Sequence, residues 1–321
     1  MTTSSGTSLM RETMSGQAAA LARLLDDDAA VGPVAERLRG RRVLTIGTGT
    51  SWHAANQAAA LLRGTGLDAD AAQSADVVLG GEGTGRAEAV IAFTHTGPRK
   101  RFTAQAIADA RGRGVDVIQI SGEGIDDADL ITVAQERSAA YTASHLGALL
   151  RTAQLAAALG ADLPAIGDVP DAVERMFSTP RDPVPPPARL IEFTGGGINA
   201  WTAAEGALKI REAAYVASEG LGVEQFLHGP MVALRDRDHL VCLDGGGGWS
   251  ERLEQIADAA ERTGTPVTRV SATELGEPLS IFPLTVAVQR IALESAEALG
   301  INPDTFGLDI PGRKIWLDVG L

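Results

Sequence analysis

Residues 41–66 read RRVLTIGTGTSWHAANQAAALLRGTG and contain the clearest pattern of secondary structure in the chain. Val43, Leu44 and Ile46 form a short apolar run of the kind found in buried strands. The Gly-Thr-Gly-Thr-Ser that follows turns directly into an amphipathic helix. The stretch therefore predicts a strand, a glycine-rich turn and a helix in immediate succession.

The same succession recurs along the chain. In the first half it returns as EAVIAFTHTG at residues 88–97, before another helical pattern, and VDVIQISGEG adds a further strand. In the second half, ARLIEFTGGG at 188–197 and DHLVCLDGGGG at 238–248 repeat the strand and the turn. Apolar strands that alternate with helices are typical of a parallel α/β sheet. The shared order of elements suggests an internal duplication.

Chain length and proline content predict two domains. A chain of 321 residues suits two domains of about 150 residues each. Residues 178–190, STPRDPVPPPARL, are rich in proline, which disfavours helix interiors and sheet ladders. We predict an N-terminal helix plus a first domain over 1–177, a Pro-rich linker over 178–189 and a second domain over 190–321.

Several helix boundaries follow from capping and breaking signals. Thr7 or Ser8 can cap a first helix that runs through MRETMSGQAAALARLL, and Gly32-Pro33 is predicted to break the chain before a short helix, VAERLRG. A helix from about Ala143 to Leu159 closes the first half, and LTVAVQRIALESAEALG is helical near the end of the second.

Composition narrows the class of protein. A formal net charge of -13 argues against nucleic-acid and anionic-membrane partners, which bind extended basic surfaces. The single cysteine, Cys242, excludes an intramolecular disulfide and a multi-cysteine metal site, and the histidines show no metal-ligand spacing. The N-terminus lacks the features of a signal peptide, and no run of 18 apolar residues is present. We expect a cytoplasmic protein with no membrane span, metal or cofactor.

A charged stripe marks a second informative stretch, AAEGALKIREAAYVASEGLGVEQFLHGPM, residues 203–231. Helical spacing places five residues on one face: Glu205, Lys209, Glu212, Val216 and Glu219. The rest of the circumference is almost entirely apolar, so the helix should pack on several sides. The stripe is either a solvated edge with an i, i+4 ion pair or a cleft wall that holds a carboxylate and an ammonium for proton transfer.

Two hydroxyl-rich loops follow predicted strands, at the edge where parallel sheets bind ligands. They are Thr48-Gly49-Thr50-Ser51 and Thr94-His95-Thr96-Gly97. Hydroxyls and free N–H groups there suit a phosphate monoester, although the same residues serve as ordinary helix caps. His228 precedes a Gly-Pro turn, where an imidazole either reaches a ligand or simply occupies the turn.

Taken in order, GTGTSWHA, the Thr loop, AAEGALKIREAAYVASE and FLHGP resemble the double sugar-isomerase (SIS) module, the isomerase half of glucosamine-6-phosphate synthase. MRETMSGQ resembles the opening helix of that module, so the resemblance covers nearly the whole chain. The glutaminase half, with its N-terminal cysteine nucleophile, is not expected. The resemblance implies an α/β fold of two flavodoxin-like, three-layer αβα domains, each with a central parallel sheet, in a homodimer with shared active sites.

The resemblance also implies residue roles. Glu212 would move a proton between sugar C1 and C2, Lys209 would lie near the enediol oxygens, and His228 of the partner subunit would open the ring. The phosphate-binding residues would be Thr50, Ser51, Thr94, His95, Thr96 and Arg99. Glu205 and Lys314 are further candidates.

Three departures from the family pattern are visible. Where the family reads Ser-Gln-Ser-Gly-Glu-Thr, residues 94–101 carry a proline and three cations. This indicates either a more anionic ligand or a different substrate. The Ser and Lys of the family's Ser-Thr-Lys are missing near Tyr141-Thr142-Ala143. Lys314 follows Asn302-Pro303 by a longer path than the family's Schiff-base lysine does.

Three functions stay open from sequence. The leading hypothesis is an aldose–ketose isomerase of sugar phosphates, or an aminotransferase-type relative whose amine or ammonia comes from a separate donor. The second is a deglycase that releases an amine from a sugar-amine phosphate. The third is a sugar-phosphate sensor that binds without turnover.

Overall fold

The computed structural model describes residues 7–81, 83–97, 101–186 and 189–319. Its helices are α1 (Leu9–Ser15), α2 (Gln17–Asp26), α3 (Val31–Leu38), α4 (Thr50–Arg63), α5 (Ser74–Leu79), α6 (Arg101–Gly112), α7 (Ala143–Ala158), α8 (Val169–Ser178), α9 (Asn199–Ala213), α10 (Val223–Leu227), α11 (Ser250–Arg262) and α12 (Glu277–Ala298). Its strands are β1 (Val43–Gly47), β2 (Ala69–Gln73), β3 (Ala89–Phe93), β4 (Asp116–Ser121), β5 (Leu130–Ile131), β6 (Ile191–Gly195), β7 (Ser218–Gly222), β8 (His239–Asp244) and β9 (Val267–Ser271).

The chain forms two compact units, each around one sheet. The five-stranded unit contains residues 18–136 and 143–167, and the four-stranded unit contains residues 7–17, 137–142 and 168–319. Helix α1 thus belongs to the four-stranded unit, whereas the sequence prediction grouped it with the first domain. The carboxylate of Asp304 explains this, since it accepts hydrogen bonds from the first amides of α1, Leu9 N at 2.8 Å and Met10 N at 2.9 Å.

The Pro-rich segment lies inside the four-stranded unit and not between the units, because the division falls between residues 167 and 168. Val184 of this segment is 3% exposed and joins the unit's hydrophobic core. Arg181 forms an ion pair with Glu294 of α12 at 2.9 Å. Proline prevents a ladder of hydrogen bonds but does not prevent burial, so the segment predicted as a linker packs onto a core.

The five-stranded sheet is parallel, with strand order β2-β1-β3-β4-β5. Alternate side chains of its strands point to opposite faces. Ile46 and Val90 pack in the core that includes α5 and α6, whereas Thr45 on the other face donates from Oγ1 to the carbonyl of Ala55 in α4 at 2.7 Å. Helices on both faces of one parallel sheet give the expected three-layer αβα arrangement.

The four-stranded sheet is also parallel, with order β7-β6-β8-β9. Phe193 faces the core built with α9 and α12, and Leu240 faces the core built with α10 and α11. In both sheets the second strand in space is the first along its half of the chain. The two halves share one topology, as the repeated sequence pattern predicts, and the flavodoxin-like α/β fold is confirmed.

Some predicted boundaries differ from the structure. Ser8 caps α1, since its Oγ accepts a hydrogen bond from Arg11 N at 3.2 Å. The single first helix that was expected is broken at Gly16 into α1 and α2. Gly32 and Pro33 do not break the chain but lie in the first turn of α3. A proline is tolerated there because its missing N–H would have no intrahelical partner.

Helix α12 is longer than expected, because it begins at Glu277 and contains Pro283. By length and composition it could cross a membrane, but 89% of its apolar window is buried inside the structure. That burial is typical of a core helix.

Candidate functional site

Three of the charged residues of helix α9, in the four-stranded unit, lie close together, whereas the fourth, Arg211, is exposed. Glu205 is 0% exposed and Lys209 is 1% exposed, and the Glu212 side chain is 13% exposed. The Lys209 Nζ lies 3.5 Å from Glu205 Oε1 and forms an ion pair with Glu212 Oε2. These three residues form a buried triad of two carboxylates around one ammonium.

This burial excludes the solvated-edge interpretation of the stripe. An ammonium and a carboxylate lose several kcal/mol of hydration each when they leave water, so such groups are retained only with charged partners. Lys209 has a carboxylate on each side of it along the helix. Glu212 is the more accessible of the two acids.

The stripe is shorter than the sequence predicted. Helix α9 ends at Ala213, and Tyr215 has a φ of 56°, a left-handed conformation that stops a helix. Val216 is therefore outside the helix. Glu219 lies on strand β7 and is exposed, so its predicted place on the helical stripe was wrong.

His228 and Lys314 are both on the surface of the four-stranded unit. His228 ends α10, before Gly229 with a φ of 147°, and its side chain is 80% exposed. Its Nε2 lies 3.5 Å from Glu224 Oε2. Arg252 donates to the same Glu224 carboxylate and lowers its pKa. Lys314 lies in a 3₁₀ segment, Arg313–Val319, and is exposed.

The first hydroxyl loop joins β1 to α4 in the five-stranded unit. A Cβ on Gly47 would lie 2.2 Å from the carbonyl oxygen of Ser51, so only glycine permits this close strand-to-helix turn. Gly49 has a φ of 58°, which also favours glycine. Thr50 and Ser51 begin α4 and are half-buried. The helix N-terminus places their amides and hydroxyls together, as an anion site requires.

The second hydroxyl loop follows β3 in the same unit. Thr94 is buried, and its Oγ1 donates to the carbonyl oxygen of Gly97 at 2.6 Å. The Thr94 hydroxyl proton is therefore used in a hydrogen bond within the loop, and its oxygen can only accept further hydrogen bonds. Thr96 is half-buried. Arg99 lies outside the described residues.

His95 is tied to a part of the chain that sequence reasoning missed. Its Nε2 accepts a hydrogen bond from Glu136 N at 3.2 Å, and Gln135 Nε2 donates to its carbonyl oxygen at 2.9 Å. Burial lowers the pKa of His95, and the opposing effect of Glu136 is smaller, so the ring is neutral near pH 7. Glu136 also accepts from Ser144 N of α7 at 2.8 Å.

Gln135 and Glu136 thus hold the second loop against the start of α7. They lie about 40 residues from His95 along the chain, and no local spacing connects them. The sequence contained one indication of the role of Glu136. It is an acidic residue shortly before the helix predicted from about Ala143, and a carboxylate stabilises the N-terminus of a helix.

Comparisons with known proteins agree with this fold. No protein-family model matches the chain. A glutamine–fructose-6-phosphate aminotransferase (isomerizing) of Pyrococcus horikoshii is 35% identical over 126 residues, which are 35% of this chain and 21% of that protein. The match therefore spans about a fifth of the length of this curated relative.

Solved structures match over nearly the whole chain. Tagatose-6-phosphate ketose/aldose isomerase from Escherichia coli has a TM-score of 0.78 at 17% identity, covering 95% of this chain and 97% of that one. Glucosamine-6-phosphate deaminase from Thermotoga maritima has a TM-score of 0.76 at 19% identity, covering 93% and 97%. The C-terminal domain of glucosamine-fructose-6-phosphate aminotransferase from Francisella tularensis has a TM-score of 0.71 at 13% identity, covering 95% and 99%. The chain therefore has the fold of these solved structures, as its resemblance to the double sugar-isomerase (SIS) module predicts, and 126 of its residues are related in sequence to a glutamine–fructose-6-phosphate aminotransferase.

Proposed function

We propose that the chain is an aldose–ketose isomerase of sugar phosphates, or an aminating or deaminating relative that shares the same proton transfer. The buried triad of α9 carries this proposal. An isomerisation through an enediolate needs one carboxylate that reaches both carbons and one cation that stabilises the developing oxyanion. Glu212 and Lys209 supply that pair.

In this mechanism Glu212 takes the proton from C2 of the aldose or C1 of the ketose. The electrons of the C–H bond form the double bond of the enediolate, whose negative oxygen faces the Lys209 ammonium. The remaining hydroxyl proton of the enediolate moves to the negative oxygen, and protonated Glu212 returns its proton to the other carbon, which gives the isomer with no net change in atoms. Glu205, whose Oε1 lies 3.5 Å from Lys209 Nζ, is proposed to hold Lys209 in place from the other side.

The remaining roles are assigned by chemistry and resemblance. The hydroxyl loops of the five-stranded unit, with Thr50, Ser51 and Thr96, are proposed to hold the phosphate. His95 is neutral and tied to Glu136, so we assign it to holding the second loop in shape. The exposed His228 is proposed to open the sugar ring in the site of a partner subunit, in a homodimer.

The activities of structurally similar proteins support the substrate class. They include a ketose/aldose isomerase and a deaminase, each named for a sugar 6-phosphate. A cytoplasmic location fits substrates of this kind and remains part of the proposal.

The test is proton NMR of hexose, hexosamine and ketose 6-phosphates in D₂O, with and without ammonium. Deuterium should enter C1 or C2 of one substrate. Glu212→Gln should lower that exchange by about 10²- to 10⁴-fold, because the amide cannot accept the proton. Glu219→Gln is the matched control, since Glu219 is exposed on β7, and it should exchange like the wild type.

The other outcomes identify the rival functions. An amine released from a sugar-amine phosphate, with dependence on Glu212, would indicate a deglycase. Tight binding of a sugar phosphate without exchange, unchanged by Glu212→Gln, would indicate a sensor and contradict the isomerase.

A further inference from the structure

Helix α10 covers one face of the four-stranded sheet, over strands β6 and β7. Its buried side chains, Val223 and Phe226, belong to a core cluster that also contains Leu240 of β8. Leu240 pairs in register with Glu192 of β6. Residues in register on parallel strands share a face of the sheet. Glu192 therefore lies in the layer between the sheet and α10.

The carboxyl of Glu192 is buried in this layer without a partner for one of its oxygens. Glu192 is 2% exposed, and its Oε1 has no hydrogen-bond partner among the described residues. Thr194 lies two residues later on the same face, is 0% exposed, and its Oγ1 also has no partner among them. Unpartnered polar groups destabilise a buried layer, and a charge does so far more. The closed layer therefore favours a neutral Glu192.

The charged groups on the strands beside Glu192 oppose its ionisation. Glu219 of β7 is its register partner and carries a like charge. Asp238 precedes β8, is buried, and accepts a hydrogen bond from Arg189 Nε at 2.8 Å. The imidazole of His239 lies on the opposite face, because its register partner is the residue before Glu192. Burial, and after it the charges of Glu219 and Asp238, raise the pKa of Glu192 to about 7.

The two helices over this face, all of whose residues the structure describes, bring no cation to Glu192. Glu224 of α10 is exposed, and its carboxylate accepts a hydrogen bond from Arg252 Nε of α11 at 3.0 Å. His228 is exposed after α10 and lies 3.5 Å from the same carboxylate. The buried residues of α11 are all apolar. An ionised Glu192 is therefore stabilised by water, which reaches it when α10 moves away from the sheet.

Helix α10 is the part of this layer that opens most easily. It has five residues, too few for a stable helix without tertiary packing, so the burial of Val223 and Phe226 holds it in place. Gly222 precedes it, and Gly229 follows shortly after it with a φ of 147°, a conformation that glycine adopts most readily. The next turn, Pro230–Ala233, has no buried residue. A short segment with so few buried contacts opens at a lower free energy than core strands do.

We propose that Glu192 is a positioning residue, whose neutral carboxyl keeps α10 closed on the sheet and whose ionisation releases α10 together with His228. His228 directly follows the last residue of α10, so this opening displaces the imidazole to which the proposed function assigns ring opening. The effect on turnover rests on the proposed function, whereas the opening of α10 does not.

The direction of the pH dependence follows from the two states of the carboxyl. Opening returns Glu192 to water, where its ordinary pKa is 4.5, so the closed form binds the proton more tightly than the open form. Opening is therefore least favourable below about pH 4.5 and becomes steadily more favourable up to about pH 7.

The test is hydrogen–deuterium exchange of residues 221–229 in the full chain, followed by mass spectrometry from pH 5 to pH 8. Each rate is divided by the rate of an unstructured peptide at the same pH, so that the ratio reports opening alone. We expect this ratio to rise at least about tenfold from pH 5 to pH 8 in the wild type. Glu192→Gln and Glu192→Met are neutral at every pH and should show almost no rise.

Two control variants separate Glu192 from its neighbours. Glu219→Gln removes an exposed like charge from the adjacent strand and should keep most of the rise. An imidazole that loses its charge beside Glu224 would also weaken α10 as the pH rises, so His228→Gln tests that alternative and should keep the rise. Peptides from β6 and α12 should stay protected throughout, since the whole unit does not unfold.

A wild type without the rise would overturn the proposal. So would a rise that persists in both Glu192→Gln and Glu192→Met, or one that disappears in His228→Gln. If the chain isomerises a sugar phosphate, the kcat/KM of Glu192→Gln relative to wild type should increase with pH, and a constant ratio would overturn the role of Glu192 in turnover. A rise in exchange without any turnover would uphold the release of α10 and contradict only the proposed function.

Discussion

Glu192 shows how one buried carboxyl makes stability depend on pH. It is the second residue of β6 and is 2% exposed, and its Oε1 has no hydrogen-bond partner among the described residues. Burial, and after it the charges of Glu219 and Asp238, raise its pKa to about 7. The folded chain therefore keeps this proton up to about pH 7, whereas the unfolded chain releases it near 4.5.

The contribution of Glu192 to the free energy of unfolding is therefore fully present below about pH 4.5, and it is lost as the pH rises to about 7. Glu192→Gln is neutral at every pH and should remove this dependence. We expect the variant to be more stable than the wild type at pH 8 by about 2 kcal/mol, measured by urea denaturation, and the difference should vanish near pH 4. A variant less stable at pH 8 would contradict the assignment.

A matched control is available on the neighbouring strand. Glu219 is exposed and pairs in register with Glu192. Glu219→Gln removes one source of repulsion and no buried charge, so it should shift the pH dependence in the same direction by a smaller amount.

At the scale of elements, the end of α9 is tied to the C-terminal segment. In the described chain, the non-glycine residues with positive φ are Tyr215 and Phe306. The Tyr215 hydroxyl lies 3.1 Å from Thr305 Oγ1, and the Arg313 guanidinium stacks over the Tyr215 ring at 5.3 Å. A left-handed tyrosine costs about 1 kcal/mol relative to glycine, so its side-chain contacts offset backbone strain.

We predict that Tyr215→Gly releases residues 303–319 without unfolding the four-stranded unit. Glycine relieves the strain and removes both contacts, so the free energy of unfolding should change by less than about 1 kcal/mol. Hydrogen–deuterium exchange followed by mass spectrometry should become at least about tenfold faster in this segment alone.

Tyr215→Phe keeps the stacked ring and should give an intermediate exchange rate. Leu317→Ala, an exposed change in the same segment, should leave exchange unchanged. Unaltered exchange in Tyr215→Gly would show that other contacts hold the segment.

At the scale of the whole molecule, the proposed homodimer predicts complementation between subunits. His228→Ala and Glu212→Gln chains should each be nearly inactive. If His228 acts in the partner's site, a mixed dimer has one site with both residues intact, so random mixing should restore about a quarter of wild-type activity. The measurement is activity after the two variants are mixed, denatured and refolded together. No recovery would place His228 in the site of its own chain or outside the mechanism.

Local sequence patterns predicted much of the fold and part of the candidate site. The apolar runs, the glycine-rich turns and their repetition predicted two parallel α/β sheets, because strand burial and turn conformation depend on nearby residues. The Glu-Lys-Glu spacing on α9 was also visible, because helical geometry alone places residues three and four apart on one face.

The burial of these residues and their long-range contacts became visible only in the tertiary structure. Periodicity gives the direction of a side chain but not what covers it, so burial of Lys209 and exposure of Glu219 needed the packed unit. The contact of Glu136 with His95 joins residues about 40 apart along the chain, which no local rule connects. The amino-acid sequence alone was enough to predict two parallel α/β sheets and to place two carboxylates and an ammonium on one face of α9. Which of these charged groups are buried and which lie at the surface follows from contacts between distant parts of the chain, and it became visible in the tertiary structure.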